Sequence, residues 1–306
     1  MRFVFLLLLF GVALHNTQAQ GCSDAGICTA GSLASHTNDS NTYKTNIVFS
    51  ANYGLGEQLT HIISPQMELN ISILKQGVFQ IKLPVVFATG RLGNSNGMGD
   101  ITINYSHGFK VNENISVTAV VGARLATNNS NITFGTQIGS LPMPYQTSLG
   151  TDDIILGAGV KTQKWGFAVG YQHPITQKNR NTFINDGRED YKGFITTVWF
   201  ERQPDVIARV ERRFKYKKMD VAASVLSIYH IANDKQGLEN EIFTLPRAEI
   251  QGSEGLTVNL NIKGGYNISE RLRTSVTFGF PVWFRQSRPD GLTRFFVLSP
   301  ALQLFL

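Results

Sequence analysis

The feature that most limits what this chain can fold into is an alternation of apolar and polar residues with a period of two. In the clearest example, residues 256–263, Leu, Val, Leu and Ile occupy every second position, and Thr, Asn, Asn and Lys lie between them. Successive side chains of a strand point to opposite faces, so this pattern predicts a strand with one apolar and one polar face. Similar runs recur from Thr45 onward, whereas an apolar period near 3.6, typical of helices, extends over no useful length. The chain is therefore predicted to be all-β.

Short and long connections alternate between these runs. Several runs begin with an acidic residue or a glycine, namely Asp100, Asp153, Asp205 and, more loosely, Gly255. Their spacing of about fifty residues accommodates two strands of about ten residues, a tight turn and a long loop. Short turns are predicted near Lys75, Asn112, Gln163, Lys217 and Ser269. Long connections are predicted at 54–65, 89–99, 127–152, 174–204, 231–254 and 285–293.

Loops sorted by length in this way predict a transmembrane antiparallel up-and-down β-barrel of about 12 strands over residues 45–306. A soluble β-sandwich is the alternative, but it explains neither the sorting nor an export signal. Backbone groups without partners cost several kcal/mol each in hydrocarbon, so the sheet is expected to close. A fourteen-stranded version would recruit residues 194–200 and 242–250, which we interpret instead as hairpins above the membrane.

The amino-terminal residues predict export. Arg2 precedes an apolar run over residues 3–14, and Ala19 suits cleavage before Gln20, so residues 1–19 are predicted to be a signal peptide. The apolar run is too short for a membrane-spanning helix, which needs about 20 residues. The predicted location is the outer membrane of a Gram-negative cell.

Residues 20–44 are predicted to form a polar amino-terminal leader. It contains both cysteines of the chain, Cys22 and Cys28. An exported chain meets an oxidising compartment, so the two residues are a candidate disulfide, and the reduced pair remains the alternative. Two cysteines without neighbouring histidines do not predict a metal site.

Two segments carry a resemblance to a known family. Residues 97–103 read Gly-Met-Gly-Asp-Ile-Thr-Ile, and residues 148–157 read Ser-Leu-Gly-Thr-Asp-Asp-Ile-Ile-Leu-Gly. These strand starts resemble those of the phenol-degradation-pathway outer-membrane family, which is similar to the long-chain fatty-acid transporters. The resemblance covers most of the chain from Thr45 onward. It implies a monomeric barrel that passes small, often hydrophobic molecules.

Charged residues at the polar positions of the strands are the candidate lumen and selectivity residues. They are Glu68, Lys82, Arg124, Lys161, Arg209, Glu211, Arg213, Lys263 and Arg273. Arginine or lysine at the midplane of the lipid face costs about 2–4 kcal/mol, so these side chains are expected to point inward. Basic residues predominate, and an enclosed wall focuses their field on a permeating ion.

The sequence therefore predicts a channel or transporter for small solutes with a basic-lined lumen. A plug made of an internal Arg/Glu network is the competing interpretation of the same residues. A non-conducting surface or structural barrel, whose long loops bind a partner, is the alternative function.

The remaining predictions concern partners and chemistry. The expected partners are outer-membrane lipids, an unknown small solute and the barrel-assembly machinery, which would recognise the apolar carboxyl-terminal strand. Nucleic acid is not expected despite an isoelectric point of about 9.3, because the chain is exported. No cofactor and no enzymatic activity are predicted. Ser106 and His107 are neighbours on a strand and point to opposite faces, so they do not predict a Ser/His site.

Overall fold

The computed structural model describes residues 45–73, 76–135, 139–239, 244–292 and 294–306. The predicted signal peptide, the leader and both cysteines lie outside the described residues. Within the described ranges, no helix is long and apolar enough to cross a membrane.

The described part of the chain is built from strands. They are β1 (Asn46–Gly56), β2 (His61–Ile73), β3 (Gly77–Gly90), β4 (Gly93–Met98), β5 (Ile101–Lys110), β6 (Ser116–Leu125), β7 (Thr151–Lys161), β8 (Trp165–Gln177), β9 (Asp205–Tyr216), β10 (Met219–His230), β11 (Lys235–Glu239), β12 (Thr244–Glu249), β13 (Gly255–Asn267), β14 (Leu272–Trp283) and β15 (Arg294–Phe305). Three single-turn 3-10 helices lie in the connections, at Glu57–Leu59, Met143–Tyr145 and Glu189–Tyr191.

The main sheet closes on itself. Strand β1 pairs with both β2 and β15, and β2 pairs in turn with β3, so no edge is left at the junction of the first and last strands. Strands β4 and β5 both pair with β3, one after the other, and form two halves of a single barrel strand. The wall is thus a closed antiparallel barrel of twelve strands, which confirms the predicted fold class.

The fourteen-stranded alternative is wrong. Strand β12 does fall within the candidate segment 242–250, but it pairs with β11 in a separate two-stranded sheet. Residues 194–200 contain no strand. Both segments belong to long loops and contribute nothing to the wall.

The two ends of the barrel differ in the length of their connections. Tight turns join the strands at one end, called here the turn end, and connections such as 126–150, 178–204 and 231–254 join them at the other, the loop end. Two connections at the loop end, predicted at 54–65 and 89–99, are shorter than predicted. Strands β1 and β2 leave only residues 57–60 between them, and β3 and β4 form a hairpin across residues 91–92. Polar residues in these strand ends resemble loop sequence, which explains both errors.

Outward and inward positions have opposite chemistry. On β9, Val206 and Val210 are exposed on the outside, whereas Asp205, Ile207 and Arg209 are buried on the inside. Large exposed apolar side chains occur on almost every strand of the wall. An apolar band that encircles a closed sheet is suited to hydrocarbon rather than to water.

Candidate functional site

The predicted lumen residues all lie at inward positions of the wall. They lie on β2 (Glu68), β3 (Lys82), β6 (Arg124), β7 (Lys161), β9 (Arg209, Glu211, Arg213), β13 (Lys263) and β14 (Arg273). Most of them are buried or half-buried, although the outward neighbours on the same strands are largely exposed. Their role in a lumen stays a prediction, and strand register determines which of them meet.

The structure brings the predicted residues together as ion pairs rather than as one basic strip. Lys82 Nζ lies 3.7 Å from Glu68 Oε2 on the neighbouring strand, and Arg213 Nε lies 3.6 Å from Glu211 Oε1. Arg273 Nη2 lies 2.7 Å from Asp220 Oδ1. Each contact places a buried cation beside a carboxylate, which reduces the charge available to attract a solute ion.

Three inward carboxylates were missing from the predicted set. Asp153 and Asp205 were recognised in the sequence only as strand starts, and Asp220 lies two residues after the basic turn that contains Lys217 and Lys218. All three are buried inside the barrel. They lower the excess of basic residues on which the predicted basic-lined lumen depended.

A ladder of amide side chains runs along the inner wall across the junction of the first and last strands. Gln303 Nε2 and Asn70 Nδ2 each donate to Asn46 Oδ1 at 3.0 Å. Gln80 Nε2 donates to Asn70 Oδ1, and Asn104 Nδ2 donates to Gln80 Oε1, both at 3.1 Å. These polar groups hydrogen-bond each other on the wall, so they help to join β15, β1, β2, β3 and β5.

A chain of alternating charges crosses the lumen at the loop end. Arg124 Nη2 lies 2.6 Å from Asp153 Oδ2, and Arg202 Nη1 lies 3.9 Å from the same oxygen. Arg202 also pairs with Asp205. The chain continues to His230, whose Nδ1 lies 2.7 Å from Asp205 Oδ1.

The second half of this chain lies in the loops. His230 Nε2 lies 2.8 Å from Asp234 Oδ1. Arg285 then lies between two carboxylates, 3.9 Å from Asp234 Oδ2 and 2.5 Å from Asp290 Oδ2. We call the residues from Arg124 to Asp290 in this chain the charge chain. It connects strands β6, β7, β9 and β10 to three different loops.

Two buried loop carboxylates, Glu57 and the charge-chain residue Asp290, have opposite pKa shifts. Burial raises the pKa of Glu57 to about 7, although Arg288, at 3.5 Å, opposes the shift. Burial also acts to raise the pKa of Asp290, but Arg285 and Arg202 outweigh it and hold that pKa below its usual range. Of these two loop carboxylates, Glu57 is therefore the one whose charge changes near neutral pH.

Apolar side chains from the loops fill the lumen beside the charge chain. Met143, Leu149, Phe200, Ile250 and Leu292 come from four connections at the loop end. They form one buried cluster with side chains of the inner wall, namely Val120, Ile155, Ala168, Ile207, Leu226 and Ile228. We call the inward-folded segments 139–150, 194–202, 250–253 and 285–292 the loop plug. Every residue from 141 to 150 is buried, so this part of the first segment is internal.

Side-chain hydrogen bonds hold the loop plug in place. The Asn181 amide donates to the carbonyl oxygens of Ser130 and Leu141, at 2.8 and 2.9 Å, and thereby joins two long loops. Asp100 Oδ2 accepts a hydrogen bond from Leu149 N at 3.0 Å. Asp152 Oδ1 accepts one from Ala126 N at 2.9 Å. The glycine/aspartate strand starts of the sequence thus bind the loop segments that enter the barrel.

The turn end of the lumen is more open. On β7 the inward positions change from buried at Asp153 and Ile155 to half-buried at Gly157, Gly159 and Lys161. Similar half-buried inward residues occur on the neighbouring strands and on β14, namely Thr118, Gly166, Ser275 and Thr277. We call the half-buried inward positions Thr118, Gly159, Lys161, Gly166, Ser275 and Thr277 the turn-side vestibule. These wall positions are thus more accessible than the inward positions at the loop end, although other inward residues near the turns, such as Asp220 and Arg273, are buried.

Sequence reasoning missed the loop contribution to the lumen. In connections between strands, alternation does not indicate whether a side chain points into the lumen. Four charged residues lie in such connections, namely Arg202, Asp234, Arg285 and Asp290. A weak signal was nevertheless available, because charged residues in loops are usually solvated and these lie among apolar residues such as Phe200 and Leu292.

His107 occupies an outward position at the turn end. Its Nδ1 lies 3.0 Å from the Tyr105 hydroxyl, and its ring meets Phe109 edge-on at 4.8 Å between centroids. Ser106 points to the lumen and lies within hydrogen-bonding reach of the Val78 carbonyl oxygen, at 3.5 Å. The absence of enzymatic activity stays a prediction.

Comparison with known proteins gives structural neighbours but no family. No family model and no curated protein matches the sequence. The fold is similar to that of the KdgM porin, with 10% identity, 85% of this chain and 99% of that chain covered, and a TM-score of 0.43. It is also similar to a Pseudomonas aeruginosa FadL homologue (12% identity, 95% and 99% covered, TM-score 0.42) and to the CymD monoaromatic hydrocarbon channel (9% identity, 94% and 98% covered, TM-score 0.42). Membership of the phenol-degradation-pathway family stays a prediction.

Proposed function

We propose that this protein is an outer-membrane channel for small polar solutes, and that the loop plug closes it in the conformation described. The apolar outer band and the polar interior support insertion in a bilayer. A closed barrel with short turns at one end and long loops at the other is typical of outer-membrane proteins, whose turns face the periplasm.

One observation carries this proposal: side chains of loop segments fill the loop end of the lumen, whereas several inward positions of the wall near the turn end are only half-buried. The turn-side vestibule consists of small or polar residues such as Gly159, Ser275 and Thr277. Above it, the apolar side chains of Met143, Leu149 and Phe200 belong to connections rather than to strands. Loops can move without opening the sheet, so a path would form if the loop plug left the lumen.

The paired charges favour weak ion selectivity. Arg124, Arg213 and Arg273 each lie close to a carboxylate, so their fields are partly cancelled within the wall. Basic residues still exceed acidic ones among the predicted lumen residues. We therefore propose a modest preference for anions, to which Arg209 contributes, and expect Arg209→Gln to reduce it.

Conductance across planar bilayers tests the proposal. The unmodified protein is expected to show brief or small current steps, and a variant in which a short Gly-Ser linker replaces residues 131–147 is expected to conduct several-fold more. The matched control exchanges the exposed residues 186–190 of another loop for Gly-Ser, which leaves the buried segments intact and should not change the current. If neither the unmodified protein nor the shortened variant conducts, the channel proposal is wrong.

A specific observation favours the second candidate, a non-conducting barrel whose loops bind a partner. The loop end has its own buried aromatic cluster, in which Tyr145, Phe183 and Phe194 pack against Ile62 and Ala88 of the wall. Such packing gives the outer loop surface a defined shape, as a binding surface requires. Absence of current in all variants, with folding retained, would support this alternative.

A further inference from the structure

An arginine lies on the lipid-facing surface near the turn end of the barrel. On β9, the outward positions run through Val206, Ala208 and Val210 to Arg212. Arg212 is opposite Trp165 on β8 and Ala223 on β10. A charged side chain on this face is costly at the bilayer midplane and is tolerated near the interface.

Aromatic rings hold the guanidinium of Arg212. Its Cζ lies 4.7 Å from the ring centroid of Trp165 and 5.6 Å from that of Phe214. Stacking uses the faces of the guanidinium and leaves N–H donors along its edge. No hydrogen bond or ion pair joins the side chain of Arg212 to another described residue. Arg212 is half-buried, so these donors are oriented by the rings and accessible from outside.

The neighbouring Arg213 fixes the position of Trp165 from the inside of the barrel. Arg213 Nη2 donates to the carbonyl oxygens of Thr162 and Trp165, at 2.9 and 2.8 Å, and its backbone N–H donates to the Lys164 carbonyl oxygen at 2.8 Å. The turn between β7 and β8 is thereby tied to β9. Trp165 is held in place before any ligand arrives, which lowers the cost of ordering a binding site.

The surroundings of Arg212 are cationic and aromatic. Residues 162–165 and 212–219 contain four lysines and two arginines and no carboxylate. Lys217 Nζ lies 5.4 Å from the ring centroid of Tyr216, which is 70% exposed. Phe214 is also exposed. Aromatic rings prefer the boundary between headgroups and acyl chains, and cations at that depth meet lipid phosphates.

We propose that Trp165, Arg212, Phe214, Tyr216 and Lys217, named here the Arg212 patch, bind the headgroup of an anionic phospholipid in the leaflet at the turn end. The Arg212 guanidinium donates hydrogen bonds to the lipid phosphate, and the exposed rings of Phe214 and Tyr216 contact the glycerol and upper acyl chain. The flanking carboxylates of Glu211 and Asp220 lie on the inward face of the wall, so the outward face is cationic and favours an anionic lipid over a zwitterionic one. The site lies outside the barrel and does not depend on conduction.

Fluorescence quenching of Trp165 tests the proposal. The full chain carries Trp199→Phe and Trp283→Phe, so that Trp165 is the remaining tryptophan, and is reconstituted in phosphatidylcholine vesicles. Dibrominated phosphatidylglycerol or dibrominated phosphatidylcholine is then added at equal mole fraction. The association constant at Trp165 is expected to be about fivefold higher for phosphatidylglycerol than for phosphatidylcholine. One cation near an anionic surface contributes about a factor of five. Arg212→Gln should therefore remove most of this preference. Arg212→Lys retains the charge and should keep part of the preference.

Arg271→Gln is the matched control, because Arg271 is an exposed arginine in another turn at the same end. It should leave the lipid preference unchanged. Equal quenching by the two lipids in the unmodified protein, or a full preference in Arg212→Gln, would overturn the proposal. An equal loss in Arg271→Gln and Arg212→Gln would also overturn it, since general turn-end charge would then explain the effect.

Discussion

Arg124 illustrates how single charged residues are accommodated inside the barrel. Its side chain is 2% exposed, and it lies 2.6 Å from Asp153 and 3.8 Å from Asp100. Transfer of each ion from water to such a site costs several kcal/mol, and close partners offset most of that cost. Loss of Arg124 would therefore leave two carboxylates buried without their main compensating charge.

We expect Arg124→Gln to lower the free energy of unfolding by about 3–5 kcal/mol. Urea unfolding of the protein in lipid vesicles measures this change. The matched control is Arg188→Gln, because Arg188 lies at the same distance of 2.6 Å from Asp186 but is 65% exposed. An exposed pair contributes about 0–1 kcal/mol, so the control should change stability little. Equal effects of the two substitutions would contradict this interpretation.

Glu57 predicts a pH dependence of stability. Burial raises its pKa from 4.5 to about 7 in the folded protein, so folding favours the protonated carboxyl. Its contribution is therefore fully present below about pH 4.5 and is lost as the pH rises through 7. Relative to the unmodified protein, Glu57→Gln should gain stability between these values, by about 3 kcal/mol in total. Urea unfolding at several pH values measures the difference, and a difference that does not vary with pH would contradict the assignment.

At the scale of elements, strands were predictable and loop packing was not. The alternation in 256–263 identified β13 and its partner β14, because a strand between lipid and a polar lumen must alternate at every position. The same reasoning predicted inward positions for Arg209 and Lys263. It did not identify their neighbours, because strand register decides which side chains meet, and register is not visible in one strand alone.

The loop plug depends on contacts between segments that are far apart in the sequence. The local sequence pattern gives no indication of the role of Asn181, yet its side-chain amide donates to carbonyl oxygens that lie 51 and 40 residues away in the sequence. Its own Oδ1 accepts hydrogen bonds from Phe183 N and the Thr197 hydroxyl, both at 2.9 Å. Such a residue can be recognised only once the fold is known.

We expect Asn181→Ala to loosen the loop plug while leaving the barrel intact. The substitution removes the side-chain donor to the Ser130 carbonyl oxygen, at a cost of about 1–3 kcal/mol, whereas the Leu141 carbonyl oxygen keeps Gln146 Nε2 as a donor at 2.7 Å. Hydrogen exchange of residues 141–150 should accelerate, and exchange in β13 and β14 should stay unchanged. Asn185→Ala is a suitable control, because Asn185 also bonds loop carbonyls but joins residues within a single loop. If segment 141–150 exchanges at the same rate in both variants, Asn181 does not hold it.

At the scale of the whole molecule, the closed sheet and the loop plug have separate physical causes. Hydrocarbon requires every backbone group of the wall to be paired, which the contact between β1 and β15 completes. The loop plug is held instead by ion pairs and apolar contacts in the interior. A change that releases the loops is therefore expected to leave the wall closed, so that opening and unfolding are different events.

Cysteine labelling on β14 tests most directly that the lumen opens to the turn end alone. Single cysteines replace Ser275 and Thr277, which point inward, or Val276 and Phe278, which point outward, in a background with Cys22→Ser and Cys28→Ser. A water-soluble, membrane-impermeant maleimide is applied to one side of oriented vesicles at a time. The two inward positions should react from the turn side only, and the two outward positions should react from neither side. Equally fast reaction of Thr277→Cys from the loop side, or reaction of Val276→Cys from either side, would contradict the account.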